Sequence, residues 1–165
     1  MERLWASWRM AYISGEKKKY DGCIFCDFPK AGNDREYKIL YQGEYSYIIM
    51  NAFPYSNGHL MVIPKRHTND FTSLSDEESS EIMKLGRLAM KALTDVYHPH
   101  GFNVGWNIGE VAGAGIAQHI HMHIVPRWNG DTNFMPVLGD TRVIPEDLET
   151  GYAKIKGAID RLLSE

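Results

Sequence analysis

The stretch Gln118-His119-Ile120-His121-Met122-His123-Ile124-Val125-Pro126 decides how this chain is interpreted. Histidines and apolar residues alternate in it, and alternate side chains of a β-strand face opposite sides of the sheet. We therefore predict a strand over residues 119–125 that ends at Pro126. Its core face carries Ile120, Met122 and Ile124, and its other face carries His119, His121 and His123.

The histidine face has three interpretations from the residues alone. A solvated strand face would suit one histidine, but three in strict alternation opposite an apolar face is an odd use of surface. A zinc site made by all three is a poor fit, because histidines from one strand converge badly on a tetrahedral ion. The third is a phosphate-handling site, since a neutral imidazole, with a reference pKa of roughly 6.5, can act as a nucleophile.

A glycine-rich segment, residues 107–115, lies directly before the histidine strand. Glycines allow close approach of the backbone to a ligand, and successive amides can form a nest for an anion. Glycine-rich loops are common, so the segment alone says little. Its position next to the histidines predicts a phosphate cradle.

The rest of the chain supplies strands and two helices around this segment. Apolar alternation predicts two strands over residues 39–49 with a turn at Gly43, then strands over residues 59–64 and 102–108. Ser75 and Glu78 form a capping-box pattern that starts a long helix, which His98 and Pro99 end. A last helix is predicted from Pro145, and residues 14–36 are predicted to be loop. These elements indicate an α+β fold with a mainly antiparallel sheet, one long helix and a C-terminal helix.

Length and charge exclude several classes of protein. The 165 residues fit a single domain, 1–165, with residues 1–20 as an N-terminal arm. The net charge of −3 gives no basic surplus for general nucleic-acid binding. No apolar stretch reaches the ~20 residues of a membrane span, and the first residues lack the apolar core of a signal peptide. We therefore expect a cytoplasmic protein with neither nucleic acid nor membrane as partner.

The two cysteines of the chain, Cys23 and Cys26, form one C-x-x-C pair. Cysteines this close are a poor structural staple, so in a cytosolic chain they indicate half a metal site or a redox pair. Free thiols are the remaining alternative. No βαβ pattern surrounds the pair, which argues against a thioredoxin-like redox role.

The sequence resembles the histidine triad (HIT) superfamily. Residues 119–125 match its pattern of three histidines separated by apolar residues, and the resemblance extends over Asn51, residues 58–67 and residues 101–107, covering roughly residues 20–165. Residues 4–13, 22–26 and 126–135 are similar to the diadenosine tetraphosphate phosphorylase-like branch. Triad hydrolases commonly carry Gln or Ser where this chain has residues 114–116, Ala-Gly-Ile, and this departure argues against a simple hydrolase.

The resemblance implies a HIT-like fold and nucleotidyl transfer through a nucleotidyl-histidine intermediate. The implied activity is phosphorolysis of diadenosine tetraphosphate to ADP and ATP, with dinucleoside polyphosphate and phosphate as partners. The alternatives are a hydrolase of dinucleoside polyphosphates or nucleoside phosphoramidates, and a zinc-stabilised nucleotide-binding module without turnover. The implied catalytic residues are His121 as nucleophile, His123 at the phosphoryl or leaving-group oxygens, and His119. The implied nucleotide-binding residues are Asn51 at the ribose, Asn107, Gly113, Ala114 and Gly115 at phosphate, and Gln118 and Trp128.

The resemblance also implies a structural zinc ion and a homodimer. In zinc-bearing members of the family, a histidine after the Ile-Pro strand and the first triad histidine complete a Cys2His2 set. Mapped onto this chain, the ligands are Cys23, Cys26, His67 and His119, with His59 as the substitute for His67.

Overall fold

The strands pair into one antiparallel sheet whose order along the sheet differs from the order along the chain. The computed structural model describes residues 22–139, 141 and 143–165, and the arm predicted over residues 1–20 lies outside them. Within these residues the sheet has the order β1-β2-β3-β5-β4. The strands are β1 Ile39–Gln42, β2 Ser46–Met50, β3 Leu60–Pro64, β4 Gly101–Trp106 and β5 Met122–Arg127.

Two long helices and several short ones accompany the sheet. They are α1 Ile24–Asp27, α2 Asp34–Tyr37, α3 Asp76–Tyr97, α4 Met135–Gly139 and α5 Leu148–Ser164. This architecture confirms the predicted α+β class with its antiparallel sheet, long helix and C-terminal helix. The segment predicted to be loop contains α1 and α2, a difference that apolar periodicity could not reveal in helices of one turn.

The long helix α3 begins where the sequence predicts it. Ser75 Oγ accepts a hydrogen bond from Glu78 N at 3.2 Å, and Glu78 Oε2 accepts one from Ser75 N at 2.9 Å. This reciprocal pair confirms the capping box. Glu78 also receives two hydrogen bonds of 2.8 Å from the Arg66 guanidinium, so the same carboxylate ties the helix to the loop after β3. The helix ends at His98, which adopts a left-handed conformation with φ of 47°.

The C-terminal helix starts later than Pro145. Asp147 is its N-cap residue, and its side chain accepts a hydrogen bond from Thr150 N at 2.9 Å. A capping side chain satisfies an amide that the first turn otherwise leaves unpaired, so the cap outweighs the preference of proline for a first turn. Among the described residues, no helix has both the length and the apolar character of a membrane span.

The sheet is covered on both faces, which explains why β2 and β3 are buried along their whole length. One face packs against α3 and α5 in the main apolar cluster, to which β5 contributes Met122 and Ile124. The other face carries a smaller apolar cluster under α1, centred on Phe25. His123 of β5 lies on this second face because it alternates with the core residues, and the rings of His119 and His121, just before the strand, contact Phe25 there.

Strand β5 begins at Met122 rather than at residue 119. Its pairing with β3 ends at Met122, and the residues before it turn toward the loop that follows β3. There Ile120 N donates to Thr68 O at 2.9 Å. At the other end the strand continues through Pro126 to Arg127. Arg127 O accepts from His100 N on the β4 side, so the nitrogen of Pro126 faces the opposite side, beyond the last β3 pair at Ile124.

Candidate active site

Four histidine rings lie together on the face of the sheet that α1 covers. The ring centroids of His121 and His123 are 4.8 Å apart, and the ring of His59 lies 5.1 Å from that of His123. These three and His119 are all buried. Phe25 of α1 closes the cluster, with its ring 5.1 Å from that of His121. The structure therefore gathers the three predicted histidines and adds a fourth.

The tautomer of His121 is fixed by the backbone of His119. Its Nδ1 lies 2.9 Å from the carbonyl oxygen of His119, which can only accept a hydrogen bond. Nδ1 of the neutral ring therefore carries the hydrogen and donates it. The lone pair is left on Nε2, where the ring can act as a nucleophile.

A second chain of hydrogen bonds fixes the tautomer of His123. The backbone N–H of Tyr55 donates to Nδ1 of His59 at 3.0 Å, so the hydrogen of the neutral His59 ring is on Nε2. That Nε2–H donates to Nδ1 of His123 at 2.9 Å. The hydrogen of His123 must then be on its Nε2. This atom is buried and has no hydrogen-bond partner among the described residues, so it is a donor held ready for an acceptor.

Burial lowers the pKa of each of these histidines, because a charged imidazolium loses its hydration there. The pKa of His59 falls to about 3 and that of His123 to about 4, from an ordinary value of 6.5. The neighbouring rings lower both pKa values further, since protonation would place positive charges side by side. Burial also lowers the pKa of His121. The cluster is therefore neutral at pH 7, as a nucleophile and a hydrogen-bond relay both require.

A second cluster adjoins the histidines through His119. Its four possible metal-binding atoms lie within 4.8 Å of one another; they belong to Cys23, Cys26, His67 and His119. The Sγ atoms of Cys23 and Cys26 lie 3.3 and 3.5 Å from Nδ1 of His119, and Cys26 Sγ lies 3.3 Å from Nδ1 of His67. Donor atoms around a tetrahedral zinc ion are about 3.3–3.8 Å apart, so this Cys2His2 set fits such an ion. The cluster uses His67 and not its substitute His59.

Two further features suit this cluster to a metal ion. His119 Nε2 donates to the carbonyl oxygen of Pro64 at 2.7 Å, which leaves Nδ1 with its lone pair facing the cysteines. Burial, followed by the neighbouring Cys23 thiol, raises the pKa of Cys26 to about 11. A bound cation would reverse this effect and hold both groups as thiolates.

The predicted phosphate cradle lies in an exposed loop between β4 and β5. Two of its three predicted amides already have acceptors: Gly113 N donates to Glu110 O at 2.9 Å and Ala114 N donates to Gly109 O at 3.3 Å. The amide of Gly115 has no backbone acceptor among the described residues. Position 113 requires glycine, because its φ of 87° is one that other residues rarely adopt.

The remaining predicted nucleotide-binding residues are placed differently from one another. Asn51 follows β2 beside the cluster, with Nδ2 3.4 Å from Nδ1 of His59. Asn107 directly follows β4, and Gln118 is exposed just before His119. Trp128 lies beyond the far end of β5, where its indole N–H donates to the carbonyl oxygen of Tyr97 at 3.3 Å.

The sequence reasoning gave His59 no part in the histidine cluster and missed Tyr55 and Phe25 altogether. His59 directly precedes β3, and its side chain shares a face with Met61, which pairs with His123. Strand alternation, already used for β5, could have placed it. Nothing in the sequence signals that a backbone amide of residue 55 fixes its tautomer.

The chain is similar in sequence to known proteins. The sequence model of the HIT domain matches residues 33–130. An AP-4-A phosphorylase from Mycobacterium tuberculosis is 39% identical over 153 residues, covering 88% of this chain and 78% of that protein. An adenosine 5′-monophosphoramidase from Schizosaccharomyces pombe is 35% identical over 137 residues, covering 83% of this chain and 98% of that protein.

Solved structures show the same similarity. The crystal structure of a zinc-bound histidine triad family protein from Mycobacterium smegmatis aligns with a TM-score of 0.70 and 31% identity, covering 87% of this chain and 96% of that one. A histidine triad nucleotide-binding protein from Sulfolobus tokodaii aligns with a TM-score of 0.68 and 29% identity, covering 85% and 93% of the two chains.

Proposed function

The chain belongs to the HIT domain family, and from this membership we propose that it transfers an adenylyl group from diadenosine tetraphosphate to inorganic phosphate. The observation that carries the proposal is the fixed tautomer of His121, whose Nδ1–H donates to a carbonyl and whose Nε2 lone pair is free to attack. The Mycobacterium tuberculosis relative, an AP-4-A phosphorylase, supports the choice of substrate.

The proposed reaction has two displacements at one phosphorus atom. In the first, Nε2 of His121 attacks the α-phosphorus, a P–N bond forms, and the P–O bond to the departing ATP breaks. In the second, an oxygen of inorganic phosphate attacks the same phosphorus, the P–N bond breaks, and ADP leaves. Splitting the transfer in this way replaces one difficult step by two easier ones.

We assign to His123 the stabilisation of charge on the leaving oxygen. Its Nε2–H is buried without a partner, and a preorganised donor of this kind strengthens its hydrogen bond as negative charge develops. His59 is a positioning residue, because it keeps that hydrogen on Nε2 through its own bond to Nδ1. His119 orients the nucleophile through its carbonyl oxygen.

For the nucleotide we propose Asn51 at the ribose and Asn107 at the phosphates. Asn51 is supported by its position beside the histidine cluster. Among the loop amides we favour Gly115, because those of Gly113 and Ala114 donate within the loop. Gln118 and Trp128 remain proposed contacts of the substrate.

We propose that Cys23, Cys26, His67 and His119 hold a structural zinc ion. A bound ion would tie the segment around α1 to the residue that orients the nucleophile, and with four protein ligands it would have no open position for substrate. The donor distances and the zinc-bound relative from Mycobacterium smegmatis support this assignment. Elemental analysis should find about one zinc per chain. The C26S variant should lose the metal and melt at a lower temperature, and unchanged melting after zinc removal would contradict the proposal.

We infer a homodimer, as the family resemblance implies. The edge strand β4 supports it, because β4 pairs with β5 alone among the described strands and exposes Val104 at 48%. An unpaired strand edge is a template for another strand. Light scattering should give twice the mass of the chain, and the V104R variant should lower it; a monomeric wild type would refute the inference.

A second candidate function is hydrolysis of an adenylyl conjugate, which the phosphoramidase from Schizosaccharomyces pombe favours. The chemistry to the nucleotidyl-histidine stage is the same. Water instead of phosphate would then complete the second displacement, and AMP would be the product.

Incubation with diadenosine tetraphosphate, with and without phosphate, tests the proposal. ADP and ATP formed only with phosphate would support phosphorolysis, whereas AMP and ATP without phosphate would replace it by hydrolysis. His121→Ala should abolish turnover and keep nucleotide binding. The matched control is His98→Asn, at an exposed histidine whose positive φ asparagine tolerates. Substantial turnover in the His121 variant would refute the covalent mechanism, and nucleotide binding without turnover in wild type would indicate a binding module.

A further inference from the structure

A cleft of about 520 Å³ opens beside His123, on the same face of the sheet. Tyr55 belongs to both places: it lines the cleft, and its ring stacks on that of His123 at 5.5 Å with an interplanar angle of 26°. Val125, two residues along β5 from His123, lies on the cleft floor. Residues at this spacing are about 6.6 Å apart on one face of a strand. The cleft is therefore continuous with the histidine cluster.

Among the residues that the structure describes, the cleft wall combines aromatic rings with amides, and its charged side chains are paired with each other. Its aromatic and amide residues include Tyr55, Trp128, Asn57, Asn103 and Asn133. Among the described lining residues the charged ones are Arg127 and Asp131, and they neutralise each other. Arg127 donates to both carboxylate oxygens of Asp131, at 2.6 and 2.9 Å. This pair and the amide of Trp128 hold the pKa of Asp131 far below its usual range.

This chemistry selects a neutral, planar ligand over an anion. The third nitrogen of the Arg127 guanidinium, Nη1, also has an acceptor, because it donates to Oδ1 of Asn103 at 2.6 Å. Among the described lining residues the one cation a phosphate group would meet is Arg127, whose charge is already paired with Asp131. A nucleoside needs only stacking and neutral hydrogen bonds, which rings and amides supply. The volume lies within the roughly 300–1,000 Å³ of small-molecule sites.

We propose that this cleft binds the distal nucleoside of a dinucleoside polyphosphate, the half that leaves with the polyphosphate. The inference rests on the proposed function, in which His121 attacks the phosphate next to the other nucleoside. The ring of His123 lies between the nucleophile and the cleft. Its centroid is 4.8 Å from that of His121 and 5.5 Å from that of Tyr55, which lines the cleft. The polyphosphate bridge follows this path past the Nε2–H of His123, and the cleft receives the nucleoside at its end.

The test compares two substrates, one with the distal nucleoside and one that ends instead in a terminal phosphate of greater negative charge. Diadenosine tetraphosphate has the distal nucleoside and adenosine 5′-tetraphosphate lacks it, while the attacked phosphate is the same. Thr132, exposed at the cleft, is changed to tryptophan to fill the space. T132W should raise KM for diadenosine tetraphosphate by about tenfold and leave kcat/KM for adenosine 5′-tetraphosphate within about twofold of wild type. The matched control, M83W on the outer face of α3, should leave both unchanged, because Met83 is 61% exposed and outside the cleft.

Binding in the H121A background separates this inference from the proposed reaction, because that variant has no nucleophile. There, diadenosine tetraphosphate should bind about tenfold more tightly than adenosine 5′-tetraphosphate, and T132W should abolish the difference. Such a result with no turnover by wild type would keep the subsite and refute the reaction. Equal binding of the two ligands, or an equal loss for both in T132W, would overturn the subsite even where wild type is an active phosphorylase.

Discussion

Replacing His59 with leucine tests the relay that fixes the tautomer of His123. In the wild type, Tyr55 N–H donates to Nδ1 of His59, and Nε2–H of His59 donates to Nδ1 of His123. Leucine is close in size to histidine but has no polar atoms. The H59L variant therefore deletes both bonds while it keeps the site filled.

H59L should lower both the free energy of unfolding and kcat. The variant leaves Nδ1 of His123 buried and without a donor, and a buried unsatisfied group costs about 1–3 kcal/mol of unfolding free energy. Losing an aligned donor at a site of developing charge costs about 10²–10³ in kcat. The ring of His123 remains in H59L and can still place its hydrogen on Nε2 part of the time. We therefore expect a smaller loss, of about tenfold to a hundredfold in kcat.

A glutamine at position 59 is the matched control. Its amide nitrogen can donate to His123 and its amide oxygen can accept from Tyr55, as the two ring nitrogens of histidine do. H59Q should recover most of the stability and part of kcat, measured by urea unfolding and by steady-state kinetics with diadenosine tetraphosphate. Wild-type kcat in H59L, or H59Q no better than H59L, would refute the relay.

Three further predictions concern stability. Between pH 7 and pH 5 the free energy of unfolding should fall by about 2 kcal/mol for each of His59 and His123. Unfolded histidines take up protons near pH 6.5, whereas burial holds the pKa values of these two residues in the folded protein at about 3 and 4. Urea unfolding at the two pH values measures this loss, and equal stability would contradict it. Gly58→Ala should lower the free energy of unfolding by about 1–3 kcal/mol, because the φ of Gly58 is +72° and a Cβ would meet side chains of α3 at 3.0 Å. Thermal unfolding measures this loss, and an unchanged melting temperature would refute the prediction. Glu78→Gln should lower the free energy of unfolding by about 1 kcal/mol, because it weakens the capping box and removes the ion pair with Arg66. Thermal unfolding measures this loss as well, and a variant as stable as the wild type would show that the ion pair contributes nothing.

Elements with a strong local signal were predicted correctly. The capping box starts α3 at the predicted residues, and the apolar alternation around Gly43 gives β1 and β2. The errors have different causes: α1 and α2 are too short to show apolar periodicity, the Asp147 cap moves the start of α5, and distant pairing sets the start of β5. The alternation of residues 119–125 does not stop at Met122, yet β3 pairs no further than that residue, so the strand begins there.

In the candidate site, too, some residues were predicted from a local pattern or the family resemblance, and others are brought in by contacts between distant segments. Alternation alone placed His121 and His123 on one face, and the resemblance to the HIT superfamily supplied Cys23 and His67 as partners of His119. The fourth member of the histidine cluster, His59, was predicted only as the substitute for His67 in the zinc site, and it lies 64 residues from His123 along the chain. Alternation places the His59 side chain on the same face as that of Met61, but the contact with His123 also requires β3 to pair with β5.

The sequence by itself determined the α+β class, the face that carries the triad and the residue types able to hold a metal. These depend on hydrophobic period and capping, which act within a few residues. The tertiary structure decided which ring nitrogen carries each hydrogen, because the acceptors and donors that fix them come from other segments or from the backbone. It also decided that Cys23 meets His119 across 96 residues and that a cleft opens beside His123, since packing alone brings such distant segments together.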